Sequence, residues 1–254
     1  MLRITILFLV MAPTQPTVTP SPPLGQARVP RNCRVYAVGD IHGRADLLER
    51  MVSMIMDDAE NAKSRRNIIV FLGDYIDRGP ESFEVIDLLA AGPPPGFEAY
   101  FLKGNHEDYL LRYLEDGRNL KDWLANGGDA TLVSYGLDPL NCSVSALKTA
   151  VPDNHLAFYK SLKSWHREGD YLFVHAGLHP ELPLENQREV DMIWIRGKFL
   201  NFTGSFGFLV VHGHSIHPEP DVCDNRIGID TGAYESGRLT CLVLEGTDYR
   251  FLTT

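Results

Sequence analysis

Three short strand-like runs, residues 34–38, 68–72 and 99–102, each end at or just before a glycine that is followed by an oxygen-bearing side chain: Gly39-Asp40, Gly73-Asp74 and Gly104-Asn105. The intervals between those side chains are each about 30 residues, the length of one strand–helix–strand unit. Leu47, Leu48, Met51, Val52, Ile55 and Met56 recur at helical spacing in the first interval, so residues 45–60 read as an amphipathic helix. In the second, Pro80 suits the first turn of a helix that runs to about Ala91 and stops at Gly92-Pro93. Strand, helix, strand, helix, strand predicts a parallel sheet with helices on its faces. Parallel strands point the same way. Asp40, Asp74 and Asn105 should therefore emerge together at the carboxyl edge, where open α/β sheets place their sites.

The rest of the chain fills in around that edge. Residues 106–165 read as mostly helical and loop-rich, with a turn-like insert at Trp123–Gly128. Strands are expected at 171–174 and 208–211, and His175 and His214 follow them. Runs at 226–229, 239–244 and 249–252 lie close together between Gly and Asp turns, which predicts an antiparallel meander. Residues 13–30 carry Pro13, Pro16, Pro20, Pro22, Pro23 and Pro30 among polar groups, a linker composition too poor in large apolar side chains for a core. The expected division is a tail and linker over 1–31 and one folded domain over 32–254. The apolar run Ile4–Ala12 is shorter than the roughly 20 residues a membrane span needs. It reads either as a signal or anchor segment, which would make the protein exported or membrane-anchored, or as an apolar tail of no fixed structure; no stable membrane insertion is expected.

Composition narrows the chemistry. A net charge of -9 and a pI near 5.4 repel a phosphate backbone, so nucleic acid is not an expected partner. Cys33, Cys142, Cys223 and Cys241 form no C-x-x-C pair, which disfavours a thiolate zinc site. The residues six positions after them are Gly39, Lys148, Ile229 and Thr247, none an arginine, so a cysteine-nucleophile phosphate loop is disfavoured too. Four thiols without a pairing pattern suit a reducing, cytoplasmic setting.

Carboxylate, amide and imidazole donors converging from five strand ends suit divalent metals such as Mn, Fe or Zn. Two carboxylates in one dry place need cations to neutralise them. Taken singly, an Asp after a strand reads as a helix cap and a His as a packing group. The joint pattern tips the reading toward a metal centre.

Gly39-Asp-Ile-His-Gly43, Gly73-Asp-Tyr-Ile-Asp-Arg-Gly79 and Gly104-Asn-His-Glu107 resemble, in order and spacing, the three signature blocks of the PPP-type protein serine/threonine phosphatases. His175-Ala-Gly177 and His212-Gly-His214 look like the two later blocks, and the resemblance spans about residues 34–245. The Trp123 insert and Ile193-Trp-Ile-Arg196 are closer to compact bacterial and phage members. The resemblance implies an α/β calcineurin-like metallophosphoesterase fold, mixed β-sheets in a sandwich flanked by α-helices. It implies two divalent ions, Mn2+ with Fe or Zn as alternatives. Asp40 and His42 would hold the first, Asn105, His175 and His214 the second, and Asp74 would bridge both. Arg78 and Arg196 would hold phosphate oxygens. His106 would be the general acid, oriented by Asp77, and His212 would stand outside the ligand set. The activity implied is removal of phosphate from phosphoserine and phosphothreonine in proteins or peptides by a metal-activated water. Symmetrical dinucleoside tetraphosphate hydrolysis on the same site is the alternative. Those nucleotide-cleaving relatives lack the Asp of Asp-Arg-Gly and carry Asp in place of Glu in Gly-Asn-His-Glu, so Asp77 and Glu107 weigh toward the protein phosphatase. The stretch Asp230–Gly237 departs from the eukaryotic members, and their regulatory subunits are not expected here.

Overall fold

The computed structural model describes residues 22–60 and 66–254. Two five-stranded sheets face each other. The first runs in the order β10 (Asp248–Thr253), β9 (Thr240–Glu245), β1 (Cys33–Val38), β2 (Arg66–Phe71), β3 (Phe97–Phe101). The second runs β4 (Trp165–Glu168), β5 (Tyr171–Val174), β6 (Leu209–His212), β8 (Arg226–Gly228), β7 (Asp221–Val222). β1, β2 and β3 are parallel, as are β5, β6 and β8; β9 and β10 close the first sheet antiparallel.

The unbroken apolar runs follow from burial on both faces. Alternate residues of β1, β2 and β9 divide between two cores. Val35, Ala37, Ile68, Val70, Leu242 and Leu244 meet Phe173, Leu209 and Val211 between the sheets. Tyr36, Val38, Ile69, Phe71 and Val243 face outward under helices α1 (Ala45–Glu60) and α2 (Ser82–Ala90). Leu172, Val174 and Val210 do the same on the far side of the second sheet, under Met192 and Phe199. Helix α1 buries Leu47, Leu48, Met51 and Ile55 of the expected stripe, while Val52 is half-buried and Met56 is exposed. Helix α3 (Asn105–Asp116) starts at the third strand-end block itself.

Two expectations need correction. The last three runs form no meander: β8 joins the second sheet beside β6, and only β9 and β10 pair with each other. The cause is burial, because Ile227 of β8 fills the core between the sheets while β9 registers against β1, Leu244 opposite Val35. The ordered fold also begins before Asn32. Ala27 and Val29 are buried in the inter-sheet core, and the Val29 N–H donates to the Gly246 carbonyl. The apolar run Ile4–Ala12 lies outside the described residues. Among those described, no helix is long and apolar enough to cross a membrane, and all four cysteines are free.

Candidate functional site

The site straddles both sheets at their carboxyl edges. Asp40 and His42 follow β1, Asp74, Asp77 and Arg78 follow β2, and Asn105, His106 and Glu107 open α3 after β3. His175 follows β5, His214 follows β6, and Asp230 follows β8. The loops lock together through their backbones. Ile41 and His42 N–H donate to the Asp74 carbonyl, Gly43 N–H to Tyr75, and Gly213 N–H to the His175 carbonyl. Gly213 is required by closeness: a Cβ there would run into Asp40 Oδ1. Glu107 ties the second and third blocks, accepting from the N–H groups of Asp74, Tyr75 and Gly104 at 2.8–2.9 Å.

Asp74 is 2 % exposed and turns its two oxygens to different imidazoles. Oδ2 faces His42 Nε2 at 3.6 Å and His106 Nε2 at 3.7 Å, and Oδ1 faces His175 Nε2 at 3.4 Å. The ligand atoms of His42, Asp74 and His106 lie within 4.8 Å of one another, as do those of Asp74, His175 and His214. Asn105 Oδ1 is 3.0 Å from His175 Nε2, so it belongs with the second trio. Asp40 is buried beside them, and its carboxylate accepts the His214 backbone N–H at 3.0 and 3.3 Å. Backbone acceptors orient the rings, His42 Nδ1 against the Ile76 carbonyl at 2.8 Å and His175 Nδ1 against the Leu72 carbonyl at 2.9 Å. Each ring then presents Nε2 to the site.

The donor set fits divalent ions. His214 Nε2 is buried without a hydrogen-bond partner. Burial, with Asp230 and Asp74 beside it, pushes the Asp40 carboxyl well up, and burial pushes Asp230 up as well. Burial works against Asp74 too, yet His175 and His106 hold it well below the usual carboxylate range. Burial drives His42 and His214 down, which leaves neutral imidazoles of the kind metals bind. Negative charge that burial penalises, next to neutral nitrogen donors, is what bound cations would relieve.

His106 runs the other way. Burial lowers it, but Asp74 and Asp77 lift it above an ordinary imidazole. Its Nδ1 sits 2.6 Å from Asp77 Oδ2. The Arg78 fork reaches His42 Nε2 at 2.9 Å and His106 Nε2 at 3.2 Å. The Arg78 guanidinium also lies over the Tyr234 ring, 4.9 Å from its centroid, and Tyr234 stands edge-on to His42. Arg196 is exposed, yet its charge is felt at His214.

The structure thus brings Asp40, His42, Asp74, Asp77, Arg78, Asn105, His106, His175 and His214 together, with Arg196 at the rim. His212 stays out of the trios, its ring against Phe199 and its Nδ1 on the Gly213 carbonyl. Sequence reasoning missed Asp230, although it follows a strand end just as Asp40 and Asp74 do. It also missed Thr131 and the part played by Trp123, both of which bond to Asp77.

Residues 33–233 match the calcineurin-like phosphoesterase family. The serine/threonine-protein phosphatase 2 of Escherichia coli K12 is 29 % identical over 218 residues, 81 % of this chain and 90 % of that protein. The asymmetrical bis(5'-nucleosyl)-tetraphosphatase PrpE of Bacillus thuringiensis is 25 % identical over 224 residues, 81 % of this chain and 88 % of that protein. Among solved structures, one described as a candidate diadenosine tetraphosphatase superposes with a TM-score of 0.60 at 24 % identity, covering 87 % of this chain and 93 % of that one.

Proposed function

The chain belongs to the calcineurin-like phosphoesterase family, and on that footing we propose that it hydrolyses phosphate monoesters, with phosphoserine and phosphothreonine in proteins or peptides as its substrates. The observation that carries this reading is the buried pair of His106 and Asp77, 2.6 Å apart at the edge of the two ligand trios. A serine or threonine alkoxide leaves badly unless it is protonated as its bond breaks. A nucleotide phosphate leaves easily and needs such an acid less.

Asp40, His42 and Asp74 would hold one divalent ion, with His106 Nε2 at the border of that set. Asp74, Asn105, His175 and His214 would hold the other. When bound, such a pair supplies a water of lowered pKa and neutralises charge on phosphoryl oxygens. The remaining steps belong to the chain. Arg78 can only donate, so His42 and His106 Nε2 serve as its acceptors here. Phosphate oxygens would replace them, with the guanidinium fork matching two oxygens at once, and Arg196 would meet a third from the rim. His106 Nε2, released from Arg78, takes up a proton from solvent and gives it to the leaving oxygen as the ester bond breaks. Asp77 keeps Nδ1 protonated and the ring fixed.

A second reading, dinucleoside tetraphosphate hydrolysis, draws support from the similarity to PrpE over the same stretch of chain. The deciding experiment is a panel of phosphoserine, phosphothreonine and phosphotyrosine peptides beside diadenosine tetraphosphate, each with and without Mn2+. The expected result is Mn-dependent phosphate release, fastest from the phosphoserine and phosphothreonine peptides. Faster cleavage of diadenosine tetraphosphate would overturn the monoester reading. No Mn-dependent turnover of any substrate, para-nitrophenyl phosphate included, would overturn the enzyme reading.

A further inference from the structure

A helical segment lies across the Asp77-Arg78 pair. It consists of α4 (Leu120–Trp123), a wide turn at Leu124–Gly128 and α5 (Asp129–Ser134). Trp123 is fully buried, and its indole N–H donates to both Asp77 oxygens, at 2.9 and 3.1 Å. The Thr131 hydroxyl donates to Asp77 Oδ1 at 2.6 Å and accepts the Asp77 backbone N–H at 2.9 Å. Between them, Gly127 accepts the Arg78 N–H at 3.0 Å. Gly127 is at φ 94°, and a Cβ there would stand 2.8 Å from Arg78 Cγ, so the turn can lie flat on Arg78 only as glycine. Among the described residues no lysine or arginine pairs with Asp77. Its buried charge is met by these donors and by His106.

An aspartate's last torsion is broad, so the carboxylate needs outside contacts to hold one orientation. We propose that Trp123 and Thr131 are positioning residues that fix Asp77 so that Oδ2, and no other acceptor, meets His106 Nδ1. The segment then sets the aim of the proton-donating ring from outside the ligand set. This inference rests on the reading of His106 and Asp77 given above. It adds that the orientation of Asp77 is imposed by residues 46 and 54 positions further along the chain.

The test uses the full chain, loaded with Mn2+ for the rates and with diamagnetic Zn2+ for the spectra, because Mn2+ would broaden a proton this close beyond detection. Trp123→Phe keeps the buried ring and removes the N–H. Thr131→Val keeps the shape and removes the hydroxyl, and Thr131→Ser returns it. Two readouts are taken: kcat and KM on phenyl phosphate and on para-nitrophenyl phosphate, and the downfield proton resonance of the His106 Nδ1–H in nitrogen-15-labelled protein. Outer contacts of this kind are worth about 10–100-fold in activity. The expected result is a kcat loss of that order on phenyl phosphate, the poorer leaving group, with a smaller loss on the nitrophenyl ester and little change in KM. Thr131→Ser should recover most of it, and the resonance should move upfield in the Phe and Val variants. An unchanged resonance in both folded variants would overturn the proposal, as would equal losses on the two esters. His106→Asn separates the two readings. If it loses equally on both esters, the acid assignment has failed, while the resonance in Trp123→Phe still decides whether the segment positions Asp77.

Discussion

Asp74 divides its carboxylate between the two halves of the site, one oxygen to each set of imidazoles. Asp74→Asn should therefore lower bound metal in both halves, because it removes the charge they share; unchanged stoichiometry by elemental analysis would contradict the bridging role. His106→Asn should retain metal but lose about 10²–10⁴ in turnover of phosphoserine peptides and less on activated aryl phosphates. Steady-state rates on the two substrate types check it. His42, Asp74, Asp77, Arg78 and His214 all sit at left-handed φ between 48° and 73°. Each such position costs on the order of 1–3 kcal/mol, a strain that the interlocked loops sustain. These residues were legible in the sequence because a strand end places its neighbour with little freedom, and the carboxyl edges of the two sheets meet at one site. The holders of Asp77 were not legible. Trp123 and Thr131 come from a helical segment, and no local pattern says which distant carboxylate an indole or a hydroxyl will meet.

Helix α1 is fastened to the first sheet by Asp58. Its carboxylate meets the Tyr36 hydroxyl and Arg34 at 2.8 Å and also pairs with Arg250, joining the helix to β1 and β10. Burial alone would raise the Asp58 carboxyl, but Tyr36, Arg250 and Arg34 hold it below its ordinary value of 3.8. A depressed folded-state pKa contributes stability above the unfolded value and loses it as pH falls through the folded one. Asp58→Asn should thus cost about 1–2 kcal/mol at pH 7, and the gap to the parent protein should close below about pH 4. Urea melts at pH 7 and pH 3 measure both. The elements of the β-α-β-α-β half were readable from spacing. The destination of β8 was not, because Gly and Asp turns announce a reversal without saying which of two stacked sheets receives the next strand.

On the scale of the whole molecule, the first sheet supplies Asp40, His42, Asp74 and Asn105, and the second supplies His175, His214 and Asp230. Ions bound between them would hold the sheets to each other. Saturating Mn2+ at about 100 times its dissociation constant should add roughly 2.7 kcal/mol per site to stability, and a chelator should remove it. A calorimetric melt with Mn2+ and with EDTA should show the difference, and coincident transitions would count against ion binding at the seam. The order of the first sheet has one more result. β1, which carries Asp40 at its end, lies between β2 and β9, and its register places Arg34 opposite Glu245. One of its partners, β2 (Arg66–Phe71), is therefore made soon after it and the other, β9 (Thr240–Glu245), only about 200 residues later. At about 5–20 residues per second, the unpaired side of β1 waits roughly 10–40 s for β9. Until then the nascent chain carries an open strand edge beside Asp40 and His42, and a ribosome that stalls before β9 leaves it exposed.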